Sequence, residues 1–183
     1  DISDFTRGTF LEDAPVLPVS SVTGQGLKKF PEAVDAIAAD MPEKNPAGLL
    51  RLPVDRVFTM KGFGTVITGT LISGGVHTGD TIRIYPAGPT AKVRGLQVHG
   101  EKQDVAEAGL RTAINFQGIE KEEVRRGSVL GMPDILIPSY MLDIKMTYLK
   151  SNAKAIKNRT RVRVHSGTSE ILGVLVLLDR DEL

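Results

Sequence analysis

At 183 residues the chain is long enough for one or two domains with real cores. Its apolar fraction of 41% and charged fraction of 25% are ordinary for a globular protein, and a net charge of +1 draws no partner through the field of the whole molecule. Any basic patch has to be local. The absence of cysteine excludes a disulfide framework and thiolate metal sites, and three histidines scattered at positions 77, 99 and 165 argue against a metal site of another kind. No apolar run approaches the roughly 18 residues a membrane span needs. No signal-peptide pattern is visible, so a cytoplasmic protein with no membrane contact is expected. The chain opens at Asp1 without a methionine and stops just after a strongly apolar strand pattern, as expected of a piece of something longer.

Residues 14–19, Ala-Pro-Val-Leu-Pro-Val, read as a short buried strand. A small polar loop follows at 20–26, and then a helix in which Leu27, Phe30, Val34, Ile37, Ala38 and Met41 recur at three- and four-residue spacing. Pro42 and Pro46 end it. Strand, loop, helix is one step of an open parallel sheet, in which ligands sit at the loops after the carboxyl ends of the strands. On local chemistry alone, 20–26 is equally a capped turn or a ligand contact. The string Ser20-Ser21-Val22-Thr23-Gly24-Gln25-Gly26-Leu27 is similar to the last guanine-binding motif of translational GTPases, where a backbone N–H after the first serine reads the guanine oxygen. The resemblance implies Ser20, Ser21 and Val22 as the guanine-binding loop. The phosphate-binding Gly-x-x-x-x-Gly-Lys-Ser/Thr does not occur, nor do Asn-Lys-x-Asp and Asp-x-x-Gly. This chain alone is therefore not expected to hydrolyse GTP, whatever the full-length protein does.

Residues 42–48 read as a linker, beyond which the apolar period changes from helical to strand-like. Strands are predicted over 49–58, 64–73, 81–85, 91–99, 111–117 and 128–131, punctuated by glycine, proline and aspartate turns. Many short strands with almost no helix indicate a closed antiparallel barrel. The run from Val54 to Gly74 is the central hairpin. Gly62, Gly64 and Gly69 are expected to supply a turn and then a bulge or close backbone approach, with Asp55 and Arg56 as a charged pair at the entrance. Gly62-Phe63-Gly64 with Gly69 also invites a dinucleotide-fingerprint reading. That motif needs a helix opening directly after the glycines, and Thr65-Val66-Ile67-Thr68 is a strand pattern.

Asp55-Arg56-Val57-Phe58-Thr59-Met60-Lys61-Gly62-Phe63-Gly64-Thr65-Val66-Ile67-Thr68-Gly69-Thr70 resembles the second domain of EF-Tu-like elongation factors, with Gly79-Asp80 as the following turn. The Asp-Arg entrance and the segment Ala108-Gly109-Leu110-Arg111-Thr112-Ala113-Ile114-Asn115 are similar to the selenocysteine-specific members of that superfamily. The resemblance implies a mainly β protein: a β-α remnant of a GTP-binding domain at 1–44, a domain-2-like antiparallel barrel at 45–135, and part of a second barrel at 136–183. It also implies that Asp55, Arg56 and Arg111 line an aminoacyl pocket. A selenol is more acidic than a thiol, so selenocysteine is largely anionic at neutral pH while serine is neutral, and guanidinium groups favour the anion through charge-assisted contacts. In that reading Asp55 orients one arginine. Without the resemblance, Asp55 and Arg56 read as a surface pair worth little. The implied partners are selenocysteinyl-tRNA and the ribosome, with any messenger-RNA hairpin read by regions outside this chain. The implied cofactor is GTP with magnesium in the full-length protein, and none in this chain. The alternatives are another tRNA-carrying GTPase of the superfamily, or a generic RNA-binding barrel.

His77 and His99 read as turn or surface residues, and 120–126 as a solvated charged connection. Beyond Pro138, strands are predicted at 140–148, 160–166 and 170–178, too few to close a barrel. Lys157, Arg159, Arg161, Arg163 and His165 fall on one face by period two, opposite Val162 and Val164. That face is either solvated or a contact for tRNA phosphates, for which Arg159, Arg161 and Arg163 are the candidates.

Overall fold

The computed structural model describes residues 1–149 and 152–183. The chain divides into two compact units, one of Glu43–Asp143 with Arg159–Leu178, the other of Asp1–Pro42, Ile144–Asn158 and Asp179–Leu183.

The first unit is built on nine strands: β1 (Leu52–Met60), β2 (Gly64–Thr70), β3 (Gly75–His77), β4 (Thr81–Tyr85), β5 (Thr90–Val98), β6 (Glu101–Gln103), β7 (Val105–Glu107), β8 (Arg111–Gln117) and β9 (Val129–Gly131). The ladder runs β4-β9-β1-β2-β8-β5 and closes on itself through β4–β5, entirely antiparallel, with β6 appended to β5. This is the six-stranded closed barrel that the strand and turn pattern calls for. Alternate residues fill it: Leu52, Val54, Ile67, Ile82, Ile84, Val93, Leu96, Ile114, Phe116 and Leu130 are all buried. Val76 and Ala106, from the separate β3–β7 pair, join the same core. Thr65 is buried too, and its hydroxyl donates to the Ile119 carbonyl at 2.6 Å, so its polar group is satisfied.

Two bulges reset the alternation. In β5 the register slips between Val93 and Gly95, and the buried positions shift from Ala91 and Val93 to Leu96 and Val98. In β1 it slips between Val54 and Arg56. Val54 and Val57 both pack on the core, so Asp55 and Arg56 leave it consecutively. Gly69 faces this bulge. A Cβ there would lie 2.3 Å from the Pro53 carbonyl oxygen and 2.4 Å from Leu52 Cδ2, so close backbone approach accounts for that glycine.

A hairpin of β10 (Arg161–Ser166) and β11 (Ser169–Val174) belongs to the same unit. The predicted strand at 140–148 forms no ladder, and its residues are mostly exposed. The short strands β3, β6 and β7 escape a sequence reading because turn residues crowd them.

The second unit contains α1 (Ile2–Thr6) and α2 (Lys29–Ala39). The helix after the polar loop forms as expected. The strand expected at 14–19 does not: the segment is irregular, and Val16 and Val19 are half exposed. A strand needs a hydrogen-bonded neighbour, and none pairs with this segment among the described residues. The apolar stripe of α2 (Phe30, Val34, Ile37) is likewise about half exposed. No helix among the described residues is long and apolar enough to cross a membrane.

Candidate functional site

The bulge in β1 sets the charged site. Val54 pairs with Gly69 and Arg56 with Thr68, which leaves Asp55 without a cross-strand partner. Arg111 opens β8, opposite Thr70 on β2. Its guanidinium donates to Asp55 Oδ2 at 2.9 Å, while Arg126 NH1 lies 3.0 Å from Asp55 Oδ1. The Arg111 hydrogen bond, with the charges of Arg126, Arg111 and Arg56 behind it, holds the Asp55 carboxyl below its ordinary range against the opposing effect of partial burial. Asp55 therefore stays ionised at neutral pH. Three guanidinium groups influence this single carboxylate, so the site carries excess positive charge in a molecule whose net charge is only +1.

Beside the cluster is a pocket of about 210 Å³ lined by Thr68, Gln97, His99, Gly100, Arg111, Thr112 and Ala113. The register explains its make-up. Arg56, Thr68, Ala113 and Gln97 stand opposite one another across β1, β2, β8 and β5. Such a row shares one face, here the outer one. Arg111 forms part of the wall, and Asp55 braces it from outside the lining. Arg56 does not line the pocket; it neighbours Thr68 on the next strand, and its exposed guanidinium makes no ion pair among the described residues. Thr68 Oγ1 is buried without a hydrogen-bond partner. An unsatisfied buried hydroxyl is a standing cost to the fold.

The structure thus brings together Asp55, Arg56 and Arg111, which lie up to 56 positions apart in sequence. Asp55 pairs with Arg111 and Arg126 rather than with its neighbour Arg56. Arg126, read from sequence as part of a solvated connection, belongs to the cluster. His99, read as a turn residue, has φ 53° beyond the end of β5 and also lines the pocket. Gln97 and Thr68 were legible only once the register was known.

The other two candidate regions differ in kind. In the loop 20–26, the N–H groups of Ser20, Thr23 and Gly24 are used internally, by Gln25 O at 3.0 Å, Ser20 Oγ at 3.2 Å and Ser20 O at 2.9 Å. Those of Ser21 and Val22 have no hydrogen-bond partner among the described residues, and both residues are exposed. On the hairpin, Arg161, Arg163 and His165 share a face as predicted, but their partners there are Val174, Leu172 and Glu170. Arg163 NH1 contacts Glu170 Oε1 at 2.8 Å, so the face is mixed rather than purely basic. Arg159 precedes the strand at φ 64°, its N–H donating to Leu175 O at 2.9 Å.

Residues 64–131 match the family model of elongation factor Tu domain 2. The whole chain is 48% identical, over 183 residues, to a selenocysteine-specific elongation factor of Desulfomicrobium baculatum. Over its whole length the chain is similar to one part of the selenocysteine-specific elongation factors. It spans 29% of that relative's length. Among solved structures it is similar to a bacterial selenocysteine-specific elongation factor EF-Sec, at TM-score 0.72 and 28% identity, covering 99% of this chain and 31% of that one. The fold also matches that of translation elongation factor SelB from Methanococcus maripaludis, solved with the GTP analogue GppNHp, at TM-score 0.74 and 21% identity over 99% of this chain and 42% of that one. The motif in β1 and β2 and the Arg111 segment thus lie in a chain similar throughout to these elongation factors.

Proposed function

We propose that the pocket beside Arg111 receives the aminoacyl end of a charged tRNA, and that its excess positive charge selects selenocysteine. The observation that carries this reading is the position of Arg111: on the pocket wall, which it shares with Thr68, and fixed by Asp55. A selenolate entering the pocket exchanges water for a charge-assisted contact, whereas a serine hydroxyl makes only a neutral one. Asp55 preserves the aim of the guanidinium and tempers the net charge, so that the pocket does not collect every anion equally. Arg56 adds positive potential from the adjacent strand. The arginines at 159, 161 and 163 on and before the hairpin are assigned to contacts with tRNA phosphates, which steady the acceptor arm without reading its sequence.

In the complete protein this work would form part of delivering selenocysteinyl-tRNA to the ribosome in a GTP-dependent manner, in the cytoplasm. Residues 1–44 are then the end of the GTP-binding domain, 45–135 its second domain, and 136–183 part of the third. The free N–H groups of Ser21 and Val22 suit a guanine carbonyl, with Ser20 shaping the loop. The residues that would hold phosphate and magnesium are not among the motifs of this chain.

A titration of the chain with a selenocysteinyl-tRNA acceptor-stem minihelix, followed by amide chemical shifts, tests the location. Shifts concentrated on Thr68, Gln97, His99 and Ala113 are expected. Perturbation confined to the β10–β11 hairpin, or spread without focus, would place the aminoacyl end elsewhere.

A further inference from the structure

Arg126 joins Asp55 to a part of the unit that does not touch the pocket. The tip of the β10–β11 hairpin is the turn Ser166-Gly167-Thr168-Ser169. There the Thr168 hydroxyl donates to the Val54 carbonyl at 2.6 Å, the same oxygen that accepts the Gly127 N–H at 3.1 Å. Arg126 Nε donates to the Thr168 carbonyl at 3.4 Å while its NH1 holds Asp55. The approach is close. A Cβ on Gly127, which has φ 92°, would lie 2.7 Å from Ser169 Cβ and 3.0 Å from Ser169 Cα. Both the contact and the backbone conformation at that position call for glycine.

These contacts meet at the β1 bulge, where the ladder is interrupted and Asp55 has no cross-strand partner. A long side chain as exposed as Arg126, at 67%, ordinarily gives up too much rotamer freedom to hold a surface carboxylate firmly. Here it is held at two points, and one of them is the hairpin backbone. From this we infer that Arg126 is a positioning residue and that the hairpin tip, through Thr168 and Arg126, fixes Asp55 and thereby aims Arg111 into the pocket. Selectivity for the aminoacyl group then depends on residues that do not line the pocket. The part of this inference that concerns selectivity rests on the aminoacyl-pocket reading above. The part that concerns Asp55 does not.

The test has two arms. In the first, the Asp55 side-chain carboxyl is titrated by NMR in this chain and in Arg126→Gln, Thr168→Val and Thr168→Ser. Both Arg126→Gln and Thr168→Val are expected to move the Asp55 midpoint upward, although Thr168 does not touch Asp55, and Thr168→Ser, which keeps the hydroxyl, restores the native midpoint. A native midpoint in Thr168→Val overturns the coupling and leaves Arg126 an ordinary ion pair. In the second arm, the full-length factor carrying the same changes competes selenocysteinyl- against seryl-tRNA. Arg126→Gln and Thr168→Val are expected to lower the preference on the order of tenfold, with the weaker binding falling mainly on the selenocysteinyl form. Equal weakening for both aminoacyl forms makes Arg126 a tRNA contact only and overturns the positioning role. Arg111→Gln separates the two claims. If it leaves the preference intact, the pocket reading fails while the Asp55 titrations still decide the clamp.

Discussion

Apolar residues recur as regularly between positions 14 and 41 as they do in the barrel, yet the two regions end differently. In the barrel, the apolar residues of the strands have ladder partners on neighbouring strands, and Leu52, Ile67 and Ile114 are fully buried. In the N-terminal segment, Val16 and Val19 have no pairing strand among the described residues, and Phe30, Val34 and Ile37 present their stripe half exposed. Periodicity specifies which face of an element is apolar. It does not supply the neighbour that turns that face into a core. In unpartnered form, a helix keeps its local hydrogen bonds and survives, whereas a strand loses its ladder; α2 is present, and 14–19 is irregular for that reason.

The sharpest way to break this contrast is truncation on both sides of it. Phe116→Ala and Ile114→Ala in the barrel are expected to cost about 3–5 and 2–5 kcal/mol respectively. Phe30→Ala and Val34→Ala in α2 should change the stability of this chain by no more than about 0.5 kcal/mol. Chemical denaturation monitored on barrel amides measures both, and equal losses would show that α2 contributes to a core after all. Gly69→Ala comes next. Its added methyl meets the Pro53 carbonyl and the Leu52 side chain, for an expected loss of about 1–3 kcal/mol. No loss would mean that the bulge relaxes freely, and Asp55 would then not be rigidly placed. Thr68→Val should go the other way, leaving stability unchanged or raised by up to about 1 kcal/mol, because it removes a buried hydroxyl that has no partner. That sign marks the residue as kept for something other than folding.

The smallest effect is the pH dependence of the Asp55 cluster. Its carboxyl is held below the usual range by the Arg111 hydrogen bond first and by the surrounding guanidinium charges after it. The stability it contributes is therefore fully present above the unfolded carboxylate pKa and is lost as pH falls through the depressed native value. Comparing wild type with Asp55→Asn in urea from neutral to acid pH should show a difference that shrinks towards acid. A difference that grows towards acid would reverse the assigned shift.

Much of the barrel is legible in the sequence. The strands at 81–85 and 111–117 appear with the expected limits, and the glycines of the β1–β2 hairpin take the turn and close approach expected of them. The signals involved are local: β-branched runs bounded by turn residues. Of the three-residue strands, β9 is legible from its apolar run, whereas β3 and β7, crowded by turn residues, are not. For the site, the resemblance placed Asp55, Arg56 and Arg111 together, and the fold shows them close. The carboxylate's actual partners were not readable. The adjacency of Asp55 and Arg56 in sequence suggests a pair, but the bulge turns both outward and gives Asp55 to Arg111 and Arg126. Arg126 sits 71 positions from Asp55 in an unremarkable charged run, so only tertiary structure reveals it. The hairpin face was half legible: period two correctly aligned Arg161, Arg163 and His165, but Arg159 precedes the strand, and the pattern could not show that Leu172, Val174 and Glu170 share that face from the neighbouring strand.

The central claim is that guanidinium charge beside the pocket distinguishes a selenolate from a hydroxyl, and competition of selenocysteinyl- against seryl-tRNA for the GTP-bound full-length factor tests it most directly. The preference measured for wild type should fall roughly ten- to hundredfold when Arg56→Ala and Arg111→Ala are combined, the size expected for losing a hydrogen bond to a charged group. Equal loss of affinity for both aminoacyl forms, with the preference unchanged, would contradict the account.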